Sequence, residues 1–211
     1  MTTPQQPPPQ QPPPTNTQLA LAAAGVLADA ATVSIALAAL WPLFLAAGVK
    51  KPALQSALEV VMNYPPDRQG FYGPATARVA RLNLIRRAQF LIHSSRRFTQ
   101  AQLRGPEAMF EQMAAERRYY GQHQEALWSR MQAAARVDTA VMDYGLLLGW
   151  NTVLDSHTSP ECIAADRHNF RADKMPRIGY PGAVHLHCRC MPGPPFPGAP
   201  MVGESRRPAY A

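Results

Sequence analysis

The chain has 211 residues, 46% of them hydrophobic and 17% charged, with a formal net charge of +7. That composition supplies apolar mass for one domain, or one domain with a small appendage, and excludes a wholly disordered polyelectrolyte. Three cysteines, an odd number, argue against a self-contained disulfide framework.

Residues 1–16 are proline and glutamine with polar spacers, a composition expected to form a disordered, extended arm. The first charged residue is Asp29, and no basic segment precedes an apolar core, so no secretory signal is expected.

A helical domain is expected over 17–148. Its first part is ambiguous. From 30 to 49 run twenty uncharged residues, followed by Lys50 and Lys51, which is the length and flank of a membrane span. Against a span stand the many alanines, Thr32, Ser34 and the central Pro42. Val33, Leu37, Leu40, Trp41, Phe44 and Leu45 also recur at helical spacing on one side, as in a bundle helix packed on a neighbour. The bundle is the preferred reading, and an anchor at 30–49 is the alternative.

Pro52 sits in the first turn of a further helix, whose buried face is marked by Leu54, Leu58 and Val61. A loop rich in proline and glycine follows at 64–74 and carries Phe71 and Tyr72. Residues 75–103 predict a long helix, broken by Gly105 and Pro106. A second long helix is expected from 107 to about 148, with Met113, Tyr120, Leu127, Ala134 and Val141 at intervals of seven, and Phe110, Met131 and Tyr144 extending that face. The two would form an antiparallel pair.

Between Arg78 and Arg136 lie eleven arginines, no lysine and four acids, a local excess equal to that of the whole chain. Arg78, Arg81, Arg86, Arg87, Arg96, Arg97, Arg117 and Arg118 are therefore candidates for contact with nucleic acid or an acidic partner. A solvated helix face is the competing reading.

At Gly149 the composition changes, and a small module is expected over 149–192. Residues 150–154 are β-prone, and a short helical piece is expected over 163–168. Cys162 lies on one arm; His185, Cys188 and Cys190 lie on another. Thiolate and imidazole are the ligands zinc favours, and a small irregular module gains much of its folding energy from such a site. His187 is an alternate to His185, and His157 and His168 are further candidates. Two other readings stay open: a disulfide from Cys162 to Cys188 or Cys190, and thiols that merely pack a hairpin. A cysteine nucleophile, with His185 or His187 as base and Asp155 as orienter, is the enzymatic alternative. The elements of a zinc deaminase are missing, as is any glycine-rich phosphate loop, so no enzyme and no small-molecule substrate are expected. Residues 193–211, rich in proline and glycine, are expected to be a tail.

Asp155, Thr158, Cys162, Phe170, His185, Cys188, Arg189 and Cys190 match, position by position, the closing signature of the phage head-morphogenesis family of Mu F-like minor head proteins. In that family an Asp-x-x-Thr-x-x-x-Cys element precedes a turn with a buried aromatic, and His-Pro-x-Cys-Arg-Cys closes it. The chain resembles the family over about forty residues of its 211, and the helices before them are similar in character only. Two positions depart: Ser159 stands where many members have cysteine, and Leu186 replaces the usual proline.

The resemblance implies a structural virion protein in few copies at the portal and capsid interior, made in the host cytoplasm. It would assist head assembly and DNA packaging or ejection, with portal protein, capsid and packaged DNA as partners. The fold expected is mainly α: a long-helix bundle or helical hairpin, with a small C-terminal α+β module stapled by cysteine and histidine. A nucleic-acid-binding zinc protein and a membrane-anchored protein are the alternatives.

Overall fold

The computed structural model describes residues 12–62 and 73–203. The first eleven residues of the expected arm, and Phe71 and Tyr72, lie outside them. The structure is mainly α, with long helices and a small antiparallel sheet near the C-terminus. Its contacts divide the chain into two units. The first takes in Met1–Asn63 and Leu84–Arg117, and the second Tyr64–Asn83 and Arg118–Ala211.

The first unit opens with α1 (Asn16–Asp29), which starts where a capping box closes. The Thr15 hydroxyl accepts from the Gln18 amide at 3.3 Å, and the Gln18 side chain accepts from the Thr15 amide at 2.8 Å. Four N–H groups at a helix start lack internal partners, and this pair satisfies two of the chain's at once. Thr32 then caps α2 (Val33–Ala46), so the apolar run from 30 is interrupted at its start. Fourteen residues rise about 21 Å, short of the roughly 30 Å hydrocarbon core of a bilayer. Among the described residues no helix is long and apolar enough to cross a membrane.

On α2 the buried residues are Ala36, Leu40 and Phe44. Leu45, expected on the same stripe, is exposed, as are Ile35 and Leu43. Gly48, with φ +76°, turns the chain into α3 (Lys51–Met62). That helix buries Ala53, Leu54, Ala57, Leu58, Val60 and Val61, which includes the whole expected face.

Two long helices run through both units: α4 (Pro74–Arg104) and α5 (Pro106–Tyr144). Gly105, at φ +114°, and Pro106 separate them as expected. In the first unit Arg97 holds Glu116 through two hydrogen bonds, and Gln112 donates to the same carboxylate at 2.6 Å. In the second unit the buried Asp138 accepts the Ala75 and Thr76 amides at 2.9 and 2.8 Å, which caps the start of α4 from α5. Gly73 is required beside it, because a Cβ there would fall 2.2 Å from the Asp138 carboxyl carbon. Asn83 donates to the Leu127 carbonyl, so pairing runs antiparallel along this part of the two helices.

Of the heptad residues, Tyr120, Leu127 and Ala134 are buried and Met113 and Val141 half-buried. Phe110 is 78% exposed and Tyr144 is exposed, so they do not extend that face. Nor does α5 reach 148. Gly145, at φ +80°, stops it, and the next residues enter β1 (Leu147–Asn151).

β1 is the central strand, flanked by β2 (Asn169–Arg171) and β3 (Met191–Gly193), both antiparallel to it. The strand lies three residues earlier than composition suggests; Val153 and Leu154 are exposed loop residues. α6 (Pro160–Ala165) likewise begins earlier than 163, because Ser159 caps it and Pro160 occupies its first turn.

One apolar core joins α4, α5 and the sheet within this unit, combining Ala75, Val79, Ala134 and Val137 with Leu148, Trp150, Phe170 and Tyr180. The expected boundary at 149 therefore does not separate a free-standing module from the helices. The boundary at 192 moves too. The Asn169 side chain donates to the Phe196 carbonyl and accepts from its amide, both at 2.8 Å, and the Val202 amide donates to the Asn169 carbonyl at 2.7 Å. Residues up to 202 are thus packed against β2.

Candidate metal centre

The register of the sheet begins the site. Trp150 pairs with Pro192 and Asn151 with Met191, so the next step of the same ladder sets Thr152 across from Cys190. The Thr152 hydroxyl lies 3.6 Å from the Cys190 sulfur. It donates to the Cys162 carbonyl at 3.0 Å, and its amide donates to Asp166 at 2.9 Å. One threonine at the end of β1 thus ties both cysteine-bearing arms.

Cys162 is presented by α6. The Ser159 hydroxyl accepts from the Cys162 amide at 3.3 Å, fixing the first turn of that helix. The position where the resembling family often has a cysteine is therefore a helix cap here.

Cys188 closes a tight turn, its amide donating to the His185 carbonyl at 3.2 Å. His187 takes the third position of that turn with φ +62°, a left-handed conformation uncommon for residues with a side chain. The turn sets His185 and Cys188 toward one point. It leaves His187 exposed.

The result is a cluster. The Cys162 sulfur is 3.7 Å from that of Cys188 and 3.5 Å from His185 Nε2. The sulfurs of Cys162, Cys188 and Cys190 all lie within 4.8 Å of one another, and all three residues are buried. All three thiols are free, so no disulfide links Cys162 to Cys188 or Cys190. His185 Nδ1 lies 2.9 Å from the Leu186 carbonyl. A carbonyl only accepts, so the proton sits on Nδ1, and in the neutral ring Nε2 keeps its lone pair toward Cys162.

Three close, buried cysteines can hold a metal ion, and the spacing tests the fit. In a tetrahedron with metal–sulfur bonds of about 2.3 Å and metal–nitrogen bonds of about 2.0 Å, sulfurs stand about 3.8 Å apart and sulfur and nitrogen about 3.5 Å apart. The two separations at Cys162 match both values. His157 lines the mouth of the cluster together with His185 and His187. His168 is occupied elsewhere, its Nδ1 2.9 Å from the Asp166 carbonyl.

The electrostatics are those of a shared proton inventory. A hydrogen bond from Cys190 holds the Cys188 thiol well below its usual range, and the same bond pushes Cys190 up. Burial pushes Cys162 up. A buried cluster in which one thiol is held below its usual range suits a cation.

Arg189, between Cys188 and Cys190, reaches back to the other arm. Its guanidinium contacts both oxygens of Asp155, at 2.7 and 2.6 Å, and holds that carboxyl below the usual carboxylate range. Thr158 bonds the Val153 carbonyl and accepts from the Asp155 amide at 3.0 Å. Asp155 is thus a loop tie bound to arginine rather than the orienter of a histidine. Its opposite charge to Arg189 was the available sequence signal for that pair. Nothing in the sequence signalled the part played by Thr152.

The candidate arginines divide. In the first unit Arg87 is 3% exposed and donates to the Val61 carbonyl at 2.9 Å. It is a core tie, which corrects its assignment to a contact surface. Arg96 donates to Asn16 at 2.8 Å, and Arg97 is held by Glu116. In the second unit Arg78 donates to the Asp173 carbonyl at 2.7 Å. Arg81, Arg117 and Arg118 are exposed and Arg86 half-buried, and none has a hydrogen bond or ion pair among the described residues.

No family model, curated protein or solved structure matches the chain.

Proposed function

We propose that the chain is a structural component of a phage head, of the head-morphogenesis type, with its C-terminal unit stapled by a zinc ion on Cys162, His185, Cys188 and Cys190. One observation carries the reading. The two separated elements that bear the resemblance meet residue by residue: Asp155 pairs with Arg189, and Cys162 faces His185 and Cys188. A signature whose members converge in space has a structural job.

Zinc is favoured over harder ions because thiolates dominate the donor set. Bound there, it would supply a tetrahedral crosslink between the two cysteine-bearing arms, and no chemistry on a substrate. Asp155 is committed to Arg189 and His185 Nδ1 to a carbonyl, so this carboxylate does not orient His185 as the base of a nucleophile. The role proposed is non-enzymatic, in the virion and at the portal, with assembly in the host cytoplasm. Packaged DNA remains a candidate partner for Arg81, Arg117 and Arg118, and binding that falls steeply with salt would identify it.

Two measurements test the proposal. Elemental analysis of the purified, reduced chain should find one zinc per chain, lost in Cys188→Ser; folded metal-free parent protein would remove the staple. Co-expression with the portal and capsid proteins of the same virus should place the chain in assembled heads at low copy. Heads that exclude it would overturn the virion role.

A further inference from the structure

The indole of Trp150 is buried among the sheet's core residues, edge-on to Phe170 with ring centroids 5.9 Å apart. Its backbone is fully used: the amide donates to the His168 carbonyl at 2.8 Å, and the carbonyl accepts from Arg167 at 2.9 Å. Its Nε1–H, by contrast, is buried without a hydrogen-bond partner among the described residues. Orphaned buried donors are rare and ask for an explanation.

The strand geometry supplies one. Trp150 and Thr152 stand on the same face of β1, two residues apart, and Cys190 is opposite Thr152 by register. The indole and the Cys190 sulfur therefore stand on one face of the sheet. A thiol sulfur is a poor acceptor, so the donor is unsatisfied in the metal-free chain. A metal-bound thiolate is a charged acceptor and a good one. Thr152, the other polar neighbour, has a single hydroxyl proton, and the Cys162 carbonyl takes it.

We infer that Trp150 Nε1–H is the hydrogen-bond donor to the Cys190 sulfur in the metal-loaded site, so that the central strand of the sheet sets how tightly the ion is held. The inference rests on the zinc reading above. Metal loading turns a buried unpaired donor into a paired one, and the rigid strand holds that donor in place beforehand. Trp150 is a positioning residue for Cys190, not a ligand.

The full reduced chain tests this through zinc affinity, read by competition with a chromophoric chelator, and through the indole N–H resonances of protein carrying 15N-tryptophan. The chain has three tryptophans, and Trp150→Phe identifies the third resonance by its absence. Loss of a donor to a metal ligand weakens binding about 10- to 100-fold. Trp150→Phe should fall in that range, whereas Val137→Ala, which disturbs the same core from α5 and removes no donor, should change affinity by less than about threefold. The Trp150 indole proton should move downfield on zinc addition. A stationary resonance in zinc-loaded parent protein, or equal weakening by the two substitutions, overturns the inference and leaves the zinc reading standing. A parent chain that takes up no zinc overturns both.

Discussion

The α1–α3 region and the sheet-bearing unit are held together in different ways. α1, α2 and α3 bury mostly alanine and leucine, and the starts of α1 and α2 are closed by local caps at Thr15 and Thr32. In the sheet-bearing unit an apolar core is present too, but the loops around it are fastened by single polar contacts: Thr152 to two arms, Asn169 to the 196–202 segment, Arg189 to Asp155. The first kind of region tolerates exchange of one apolar residue for another of similar size. The second depends on particular atoms.

The sharpest way to break the comparison is to remove the proposed zinc. A strong zinc chelator, or Cys188→Ser, should strip hydrogen-exchange protection from loops 152–166 and 183–191 by about a hundredfold or more, since structural zinc contributes on the order of 10 kcal/mol to small sites. Protection in α1–α3 should stay as it was. Equal loss in both regions would show that they do not differ in this way.

The reciprocal perturbation is Leu58→Ala. Leu58 is fully buried on α3, and its truncation should cost about 2–5 kcal/mol in denaturant unfolding. Zinc stoichiometry should remain that of the parent.

Alkaline pH gives an intermediate effect. The Tyr180 hydroxyl donates to the Ala172 carbonyl at 2.6 Å, and burial pushes its pKa up to about 12. The fold favours the neutral phenol, so this contribution is complete below about pH 10 and is lost as pH rises from there toward 12. Tyr180→Phe should flatten that part of the stability profile while lowering the neutral-pH plateau by about 1 kcal/mol for the lost hydrogen bond.

The smallest effect belongs to Ser159. Replacing it with alanine removes the cap of α6 and should cost about 1 kcal/mol by thermal unfolding. Ser159→Asp, which keeps an acceptor at the cap, should recover most of it. If Ser159→Asp is as destabilised as Ser159→Ala, capping is not its role.

Much of the fold was legible because local rules govern it. Gly105 and Pro106 end one helix and begin another whatever surrounds them, and α3 buries the three residues its spacing marked. The misplacements have local causes too. A left-handed Gly145 shortened α5, and the Ser159–Pro160 start moved α6 forward by three residues. The site was legible as chemistry but not as geometry. Cysteine and histidine at those spacings offered a metal centre as one of several readings, while the choice of His185 over His187 depended on a left-handed backbone at His187. Arg87 looked like its neighbours on α4, and only the approach of α3 made it a buried partner of Val61.

By itself, then, the sequence determined α3, the break between α4 and α5, and a thiol-rich centre near the C-terminus, because periodicity, helix-breaking residues and ligand chemistry act over a few residues. Only the tertiary structure decided that the ends of α4 and α5 share a core with the sheet, that the chain stays packed to 202, and which arginines are left exposed. Those outcomes depend on pairings between residues tens of positions apart. Asp138 capturing the start of α4, and Cys190 coming to rest across from Thr152, are written in no local pattern.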